Sequence, residues 1–369
     1  MNLLPAFWGW ESPAAGPESF NLADSCSLPP RLDDLPLLLA VDRSPSRLGY
    51  GDPDGAEPLR SAVAALYPGA LPEDVLITAG ATEANYLALS ALCEPGDRVI
   101  VATPTYQPLY EVPRARGATV EFWRLRPEDG WHPDLSELRH LLKSIQPTRL
   151  VILNFPNNPT GASVDRAFLQ MASELCRKHG ALLYADEVYR GLSLSSVAGQ
   201  PSAWEITPGE CVVVGSLSKT YGLPGLLIGW LVAPEHVRTG VRRVRAYTSI
   251  SPSVLSEEMA VRVLDAGAEL LAAQRSHVRR NLAHMEAFIQ EENDRLSWVP
   301  PVEGTVGFVR YASQLPSSEF ARRLAEQWRT LVVPGACFGY EQHVRVGFGG
   351  DTRALRQGLR QLGDFVATL

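Results

Sequence analysis

Ser216-Leu217-Ser218-Lys219-Thr220-Tyr221-Gly222-Leu223-Pro224-Gly225 follows directly on Cys211-Val212-Val213-Val214-Gly215. A short β-branched run closed by glycine reads as a buried strand. Lys219 therefore lies just past a strand end, in a turn rich in Ser and Gly. Such a turn suits an anionic ligand with an amine placed beside it, and an ordinary strand-to-loop turn has the same composition. Burial is expected to lower the basicity of the amine and make it a nucleophile toward carbonyl carbon.

Working outward, short apolar runs alternate with helical spacing. Strands are expected at residues 74–78, 98–102, 119–125, 150–153, 181–184 and 211–214. Helices are expected at 57–66, 82–93, 106–116 and 164–179. Continuous apolar strands separated by helices predict an α/β fold, a mainly parallel sheet sandwiched by helices. Sites in such sheets lie at the carboxyl ends of the strands. Beyond about residue 260 the pattern changes to long charged helices, at 257–271, 274–292 and 318–329, with strands near Val306 and Val344. The expected organisation is an N-terminal arm (1–45), a large domain (46–260) and a smaller α+β domain (261–369). The arm is irregular, with Phe20-Asn21-Leu22 as its one strand candidate. It is expected to pack on the small domain, with Trp8 and Trp10 against the body.

The chain has 369 residues and a formal net charge of -7, so no broad basic face for nucleic acid or anionic membrane is expected. Five scattered cysteines without a C-x-x-C fit a reducing compartment and use as small apolar residues. The seven histidines form no metal-ligand spacing, so no metal is expected. The apolar run at residues 226–233 is far short of a membrane span, and no targeting segment is evident. A cytoplasmic protein is the expectation.

Each remaining polar motif sits at a predicted strand end. Thr78-Ala79-Gly80-Ala81-Thr82-Glu83-Ala84 ends a strand and opens a helix whose free N–H groups suit a phosphate, or it is a plain N-cap at Thr82. Asn154-Phe155-Pro156-Asn157-Asn158-Pro159-Thr160-Gly161 either aims the Asn158 amide at a ring substituent or is simply a turn. Asp186 ends an apolar strand, where a carboxylate is costly unless paired. A cationic ring nitrogen is one suitable partner, and nearby Arg190 is another. Tyr189 follows one short turn later.

The phosphate cradle, Tyr106, Asn158, Asp186, Tyr189 and Lys219 occur in this order on successive strand ends. Together these motifs resemble the class I/II aminotransferase family, the fold-type I enzymes that depend on pyridoxal 5′-phosphate. The resemblance implies that Lys219 forms a Schiff base with the cofactor and that Asp186 keeps its ring nitrogen protonated. Tyr189 and Asn158 would hydrogen-bond the ring oxygen, and Tyr106 would stack on the ring. Gly80, Ala81, Thr82, Ser216 and Ser218 would hold the phosphate. Tyr50 matches a tyrosine that the family lends to the neighbouring subunit, which implies a homodimer with shared sites. Arg345 matches the arginine that grips the substrate α-carboxylate. Asn158, Ala23 and Asp24 would line the substrate pocket, near Gly304-Thr305.

One position departs from the family pattern. Leu227 stands eight residues after the lysine, where an arginine usually meets the phosphate. Weaker cofactor retention is expected unless another basic group substitutes. The same residues serve transamination, carbon–sulfur cleavage, and decarboxylation or oxidative deamination of an amino acid. Details of the lysine loop and the arm resemble family members that tailor amino acids in natural-product pathways. The fold also occurs as a ligand-sensing module. The lack of a basic winged-helix segment and the presence of Lys219 and Asp186 favour an enzyme.

Overall fold

The computed structural model describes residues 19–35, 48–195 and 199–369. Trp8 and Trp10 lie outside these residues.

Seven strands form the large sheet: β2 (Val75–Thr78), β3 (Arg98–Thr103), β4 (Thr119–Arg124), β5 (Thr148–Asn154), β6 (Leu182–Asp186), β7 (Cys211–Ser216) and β8 (Gly229–Val232). Their order is β2-β8-β7-β6-β5-β3-β4. The pairs from β7 to β4 are parallel, whereas β8 runs against both β7 and β2. The run at residues 226–233, read from the sequence as merely apolar, supplies this reversed strand.

Alternation along the strands sends residues to opposite faces. Ile100, Val151, Leu183 and Val213 join one core. Val99, Val101, Ile152, Tyr184, Val212 and Val214 join the other. That second face is covered by α2 (Gly80–Leu92) and α7 (Glu235–Arg245), and the preceding α1 (Glu57–Ala64) contributes Leu59 and Val63 to the first. Both faces being buried explains why the strands read as uninterrupted apolar runs.

A separate core is built from α9 (Gly267–Glu291), α10 (Ser317–Trp328) and α11 (Thr352–Val366) against a four-stranded antiparallel sheet. Its order is β12-β13-β10-β9, with β9 at Leu296–Trp298, β10 at Val306–Tyr311, β12 at Val333–Pro334 and β13 at His343–Gly347. The helix preceding α9, α8, spans Val254–Asp265. The helices therefore break at Ala266, inside the stretch 257–271 that the sequence pattern read as one helix.

The arm enters here. Its strand β1 (Phe20–Asn21) pairs in parallel with β11 (Thr330–Leu331). Leu22 donates its N–H to Leu331 O at 2.9 Å and joins the separate core. Gly347 donates to Leu22 O at 2.7 Å. A Cβ at Gly347 would stand 1.7 Å from Asp24 O, so only glycine lets the arm lie this close to β13.

Candidate active site

Strand register assembles the site. Asn154 is opposite Asp186, and Asp186 is opposite Val214, two residues before the end of β7. Gly229 at the start of β8 pairs with both Ser216 and Thr78, the last residues of β7 and β2. The carboxyl ends of β2, β6 and β7 thus converge around the turn that carries Lys219.

The stretch predicted to cradle a phosphate lies at the start of α2. The helix begins at Gly80, two residues earlier than the sequence reading placed it. Gly80 adopts φ +81°, a left-handed turn open to glycine, which brings the chain into the helix early. Thr82 consequently does not cap the helix. Its hydroxyl lies 3.3 Å from the Tyr106 hydroxyl, while the Glu83 carboxylate accepts from Ala79 N at 2.6 Å. A Cβ on Gly229 would come within 2.4 Å of Gly80 and 2.5 Å of Ala81, so β8 runs directly behind the cradle. Ser216 is buried, and its Oγ has no hydrogen-bond partner among the described residues. A buried hydroxyl without a partner is costly, and a phosphate oxygen would satisfy it.

Asp186 is 2% exposed. Arg190 is not its ion partner: the Arg190 guanidinium lies 3.1 Å from Glu187 instead. The Asp186 carboxylate accepts from Asn85 Nδ2 at 2.8 Å and from Val188 N at 3.2 Å. Asn85 in turn accepts from the Tyr184 hydroxyl at 2.7 Å. Burial drives the Asp186 pKa up to about 6, against the pull of Asn85, Val188 N and Lys219. A cationic ring nitrogen fits this carboxyl, whose charge is only partly compensated by its neighbours. Asn85 and Tyr184 escaped the sequence reading, although Asn85 is a fully buried amide among the apolar residues of α2.

Lys219 donates to Ser25 Oγ at 2.7 Å and contacts Cys26 Sγ at 3.4 Å. Its basicity does not fall as the sequence suggested. Burial lowers it, but Tyr189, Cys26 and Asp24 raise it more, and the net pKa lies above that of ordinary lysine. The Tyr189 hydroxyl donates to Ser25 O at 3.1 Å, and Thr305 Oγ1 donates to the same carbonyl at 2.8 Å. Residues 25 and 305 therefore meet at the lysine.

Arg345 is 2% exposed on β13, an interior strand between β12 and β10, so it is not a surface charge on an edge. Its guanidinium donates to Asn158 Oδ1 at 3.0 Å and to Ala23 O at 2.6 Å. Asp24 is exposed beside it, with its carboxylate accepting from Cys26 N at 2.9 Å. Ser218 is half-buried next to the lysine. Tyr50 is 82% exposed and reaches none of these groups within the chain. Leu227 is 61% exposed and adopts φ +50°, uncommon for a branched side chain. Among the described residues no cluster suits a metal ion, and no helix is long and apolar enough to cross a membrane.

The family model for aminotransferase class I and II matches residues 33–362. Capreomycidine synthase of Streptomyces vinaceus is 34% identical over 316 residues, covering 85% of this chain and 80% of that protein. A PLP-dependent aminotransferase from Streptococcus suis superimposes with a TM-score of 0.88 at 36% identity, covering 95% of this chain and 93% of its own. The PLP-dependent cyclase OrfR superimposes with a TM-score of 0.91 at 32% identity, covering 99% and 97%. The chain belongs to the class I and II aminotransferase family. It has the fold-type I architecture and is an enzyme that depends on pyridoxal 5′-phosphate.

Proposed function

We propose that this enzyme acts at the α-carbon of an amino acid or amino-acid conjugate, in secondary-metabolite biosynthesis. The convergence of Lys219, Asp186 and the unpartnered Ser216 hydroxyl at the ends of the neighbouring strands β6 and β7 carries this reading. The likeness to capreomycidine synthase supports the pathway type.

When bound, the cofactor supplies an electron sink for the bond broken at the α-carbon. The protein supplies position and proton transfer. Gly80, Ala81 and Thr82 offer backbone N–H groups and a hydroxyl to the phosphate, joined by Ser216 and Ser218. Ionised Asp186 would keep the ring nitrogen of the cofactor protonated. Tyr189 and Asn158 would hydrogen-bond the ring oxygen, and Tyr106 would lie against the ring. Arg345 binds the α-carboxylate through two parallel N–H donors, a geometry lysine lacks. Lys219 Nζ would hold the cofactor through its aldehyde and is the amine placed to move the proton at the substrate α-carbon. Ala23 and Asp24 border the substrate beside Arg345. Exposed Tyr50 suits a homodimer in which it reaches the phosphate of the neighbouring subunit. We place the arm at 1–45, the cofactor domain at 46–260 and the small domain at 261–369, in a cytoplasmic enzyme.

A second reading is ring closure without an oxo-acid acceptor, favoured by the likeness to a PLP-dependent cyclase. Carbon–sulfur cleavage and decarboxylation use the same groups. The purified protein is expected to be yellow, with borohydride fixing the cofactor on Lys219. Candidate amino acids are then supplied with and without an oxo acid, and products are identified by mass spectrometry. Turnover only with the acceptor establishes amino transfer; turnover without it establishes one of the other outcomes. A colourless protein that cannot be reconstituted refutes the enzymatic reading in favour of ligand sensing.

A further inference from the structure

The position eight residues after the lysine holds Leu227 rather than a guanidinium, yet a buried guanidinium does lie close to the phosphate helix. Arg245, at the C-terminal end of α7, is 1% exposed. Its Nη2 lies 3.4 Å from Glu83 Oε2, and its Nη1 donates to Pro53 O at 2.5 Å. Ser249 accepts from Arg245 Nε at 3.3 Å and donates to the other Glu83 oxygen. Glu83 sits in the first turn of α2 and accepts from Ala79 N at 2.6 Å.

This arrangement poses an electrostatic problem. A carboxylate in the first turn is favourable for the helix by itself. It also places negative charge beside the N–H groups proposed to receive a dianion, and like charges at this range repel. Arg245 is the charge that offsets it, and it is itself buried among Glu83, Asp54 and Glu257.

We infer that Arg245 is a positioning residue for the cofactor phosphate: by gripping and neutralising Glu83 it keeps the α2 N-terminus electropositive where no arginine stands at 227. The inference rests on the proposed placement of the phosphate at Gly80–Thr82 and Ser216. The contact with Pro53 O has a further consequence, because the same guanidinium steadies the loop that carries Tyr50.

The test compares affinities of the full-length apo-protein for pyridoxal 5′-phosphate and for pyridoxal, which differ only in the phosphate. Binding is read from absorbance of the bound chromophore and tryptophan fluorescence, independently of turnover. Wild type is expected to prefer the phosphate form strongly. Arg245→Met should narrow that preference about tenfold, the scale of one nearby charge at an effective dielectric of about 20. Glu83→Gln alone should widen it, and adding Glu83→Gln to Arg245→Met should restore it. Arg245→Lys, which keeps the charge, should retain most of it. Equal loss of both affinities in Arg245→Met, or no rescue in the double variant, overturns the inference and marks Arg245 as a packing residue. If Arg245→Met does not fold, Glu83→Gln decides: an unchanged preference overturns the inference. No preference in wild type would instead refute the phosphate placement itself.

Discussion

Replacing Asn85 by leucine removes the one side chain among the described residues that hydrogen-bonds the Asp186 carboxylate, at similar volume and on a buried helix face. The Asn85 contact is the largest influence holding the Asp186 pKa down; without it, only Val188 N and Lys219 oppose burial. A hydrogen bond to a charged group is worth about 1.5–3 kcal/mol, and one pKa unit is about 1.4 kcal/mol. The carboxyl is therefore expected to rise from about 6 in wild type by roughly one to two units in Asn85→Leu. It would then be largely protonated at neutral pH and unable to hold a second proton on the cofactor ring. The assay is the affinity of the apo-protein for pyridoxamine 5′-phosphate, which carries an amine in place of the aldehyde and so leaves Lys219 out of the measurement. Affinity should fall on the acid side of the Asp186 pKa, and this limb should move up in pH by the same amount in Asn85→Leu. Tyr184→Phe, which only removes the donor to Asn85 Oδ1, should move it in the same direction by less. An acid limb that stays in place, with affinity reduced equally at every pH, would refute the reasoning and leave Asn85 a packing residue.

Leu227→Arg should tighten pyridoxal 5′-phosphate binding by about 1.5–3 kcal/mol, roughly 10- to 150-fold, read by titrating the apo-protein; unaltered affinity would count against a phosphate beside residue 227. Gly347→Ala should lower stability by about 3 kcal/mol or more in thermal melts and raise substrate KM, since its Cβ would strike Asp24 O. Gly350→Ala, with open space at its Cβ, should melt as wild type and serves as the control. The buried Asp186 carboxyl titrates near pH 6 in the apo-protein rather than near 3.8. Its favourable contribution is therefore complete below the ordinary carboxylate range and is lost as pH rises through 6. Apo Asp186→Asn should accordingly melt above apo wild type at pH 8, by up to roughly 3 kcal/mol, with the difference shrinking toward pH 4.

The strand ends were legible because each chemical residue follows an apolar run: Lys219 after 211–214, Asp186 after 181–184, Asn158 after 150–153. That spacing depends only on local pattern, so the parallel sheet followed from it. What the sequence concealed depends on distant parts of the chain. The reversal of β8 lies in an apolar run whose direction no local pattern records. Asn85 was overlooked because a polar residue inside a helix has no distinctive neighbours until Asp186 is brought opposite it. The basicity of Lys219 was misjudged because burial is the single effect a strand-end lysine announces. Tyr189, Cys26 and Asp24, which outweigh it, come from other segments. The break at Ala266 fell inside a continuous helical pattern, where only packing separates α8 from α9.

The seating of residues 20–26 has a consequence for biosynthesis. This segment is translated before its partners Leu331, Arg345 and Gly347, which emerge some three hundred residues later. At about 5–20 residues per second, the segment waits on the order of 15–60 s before its partners exist. Contacts this distant along the chain are slow to close. The seating of residues 20–26 against β11 and β13 is therefore expected to be among the late steps of folding.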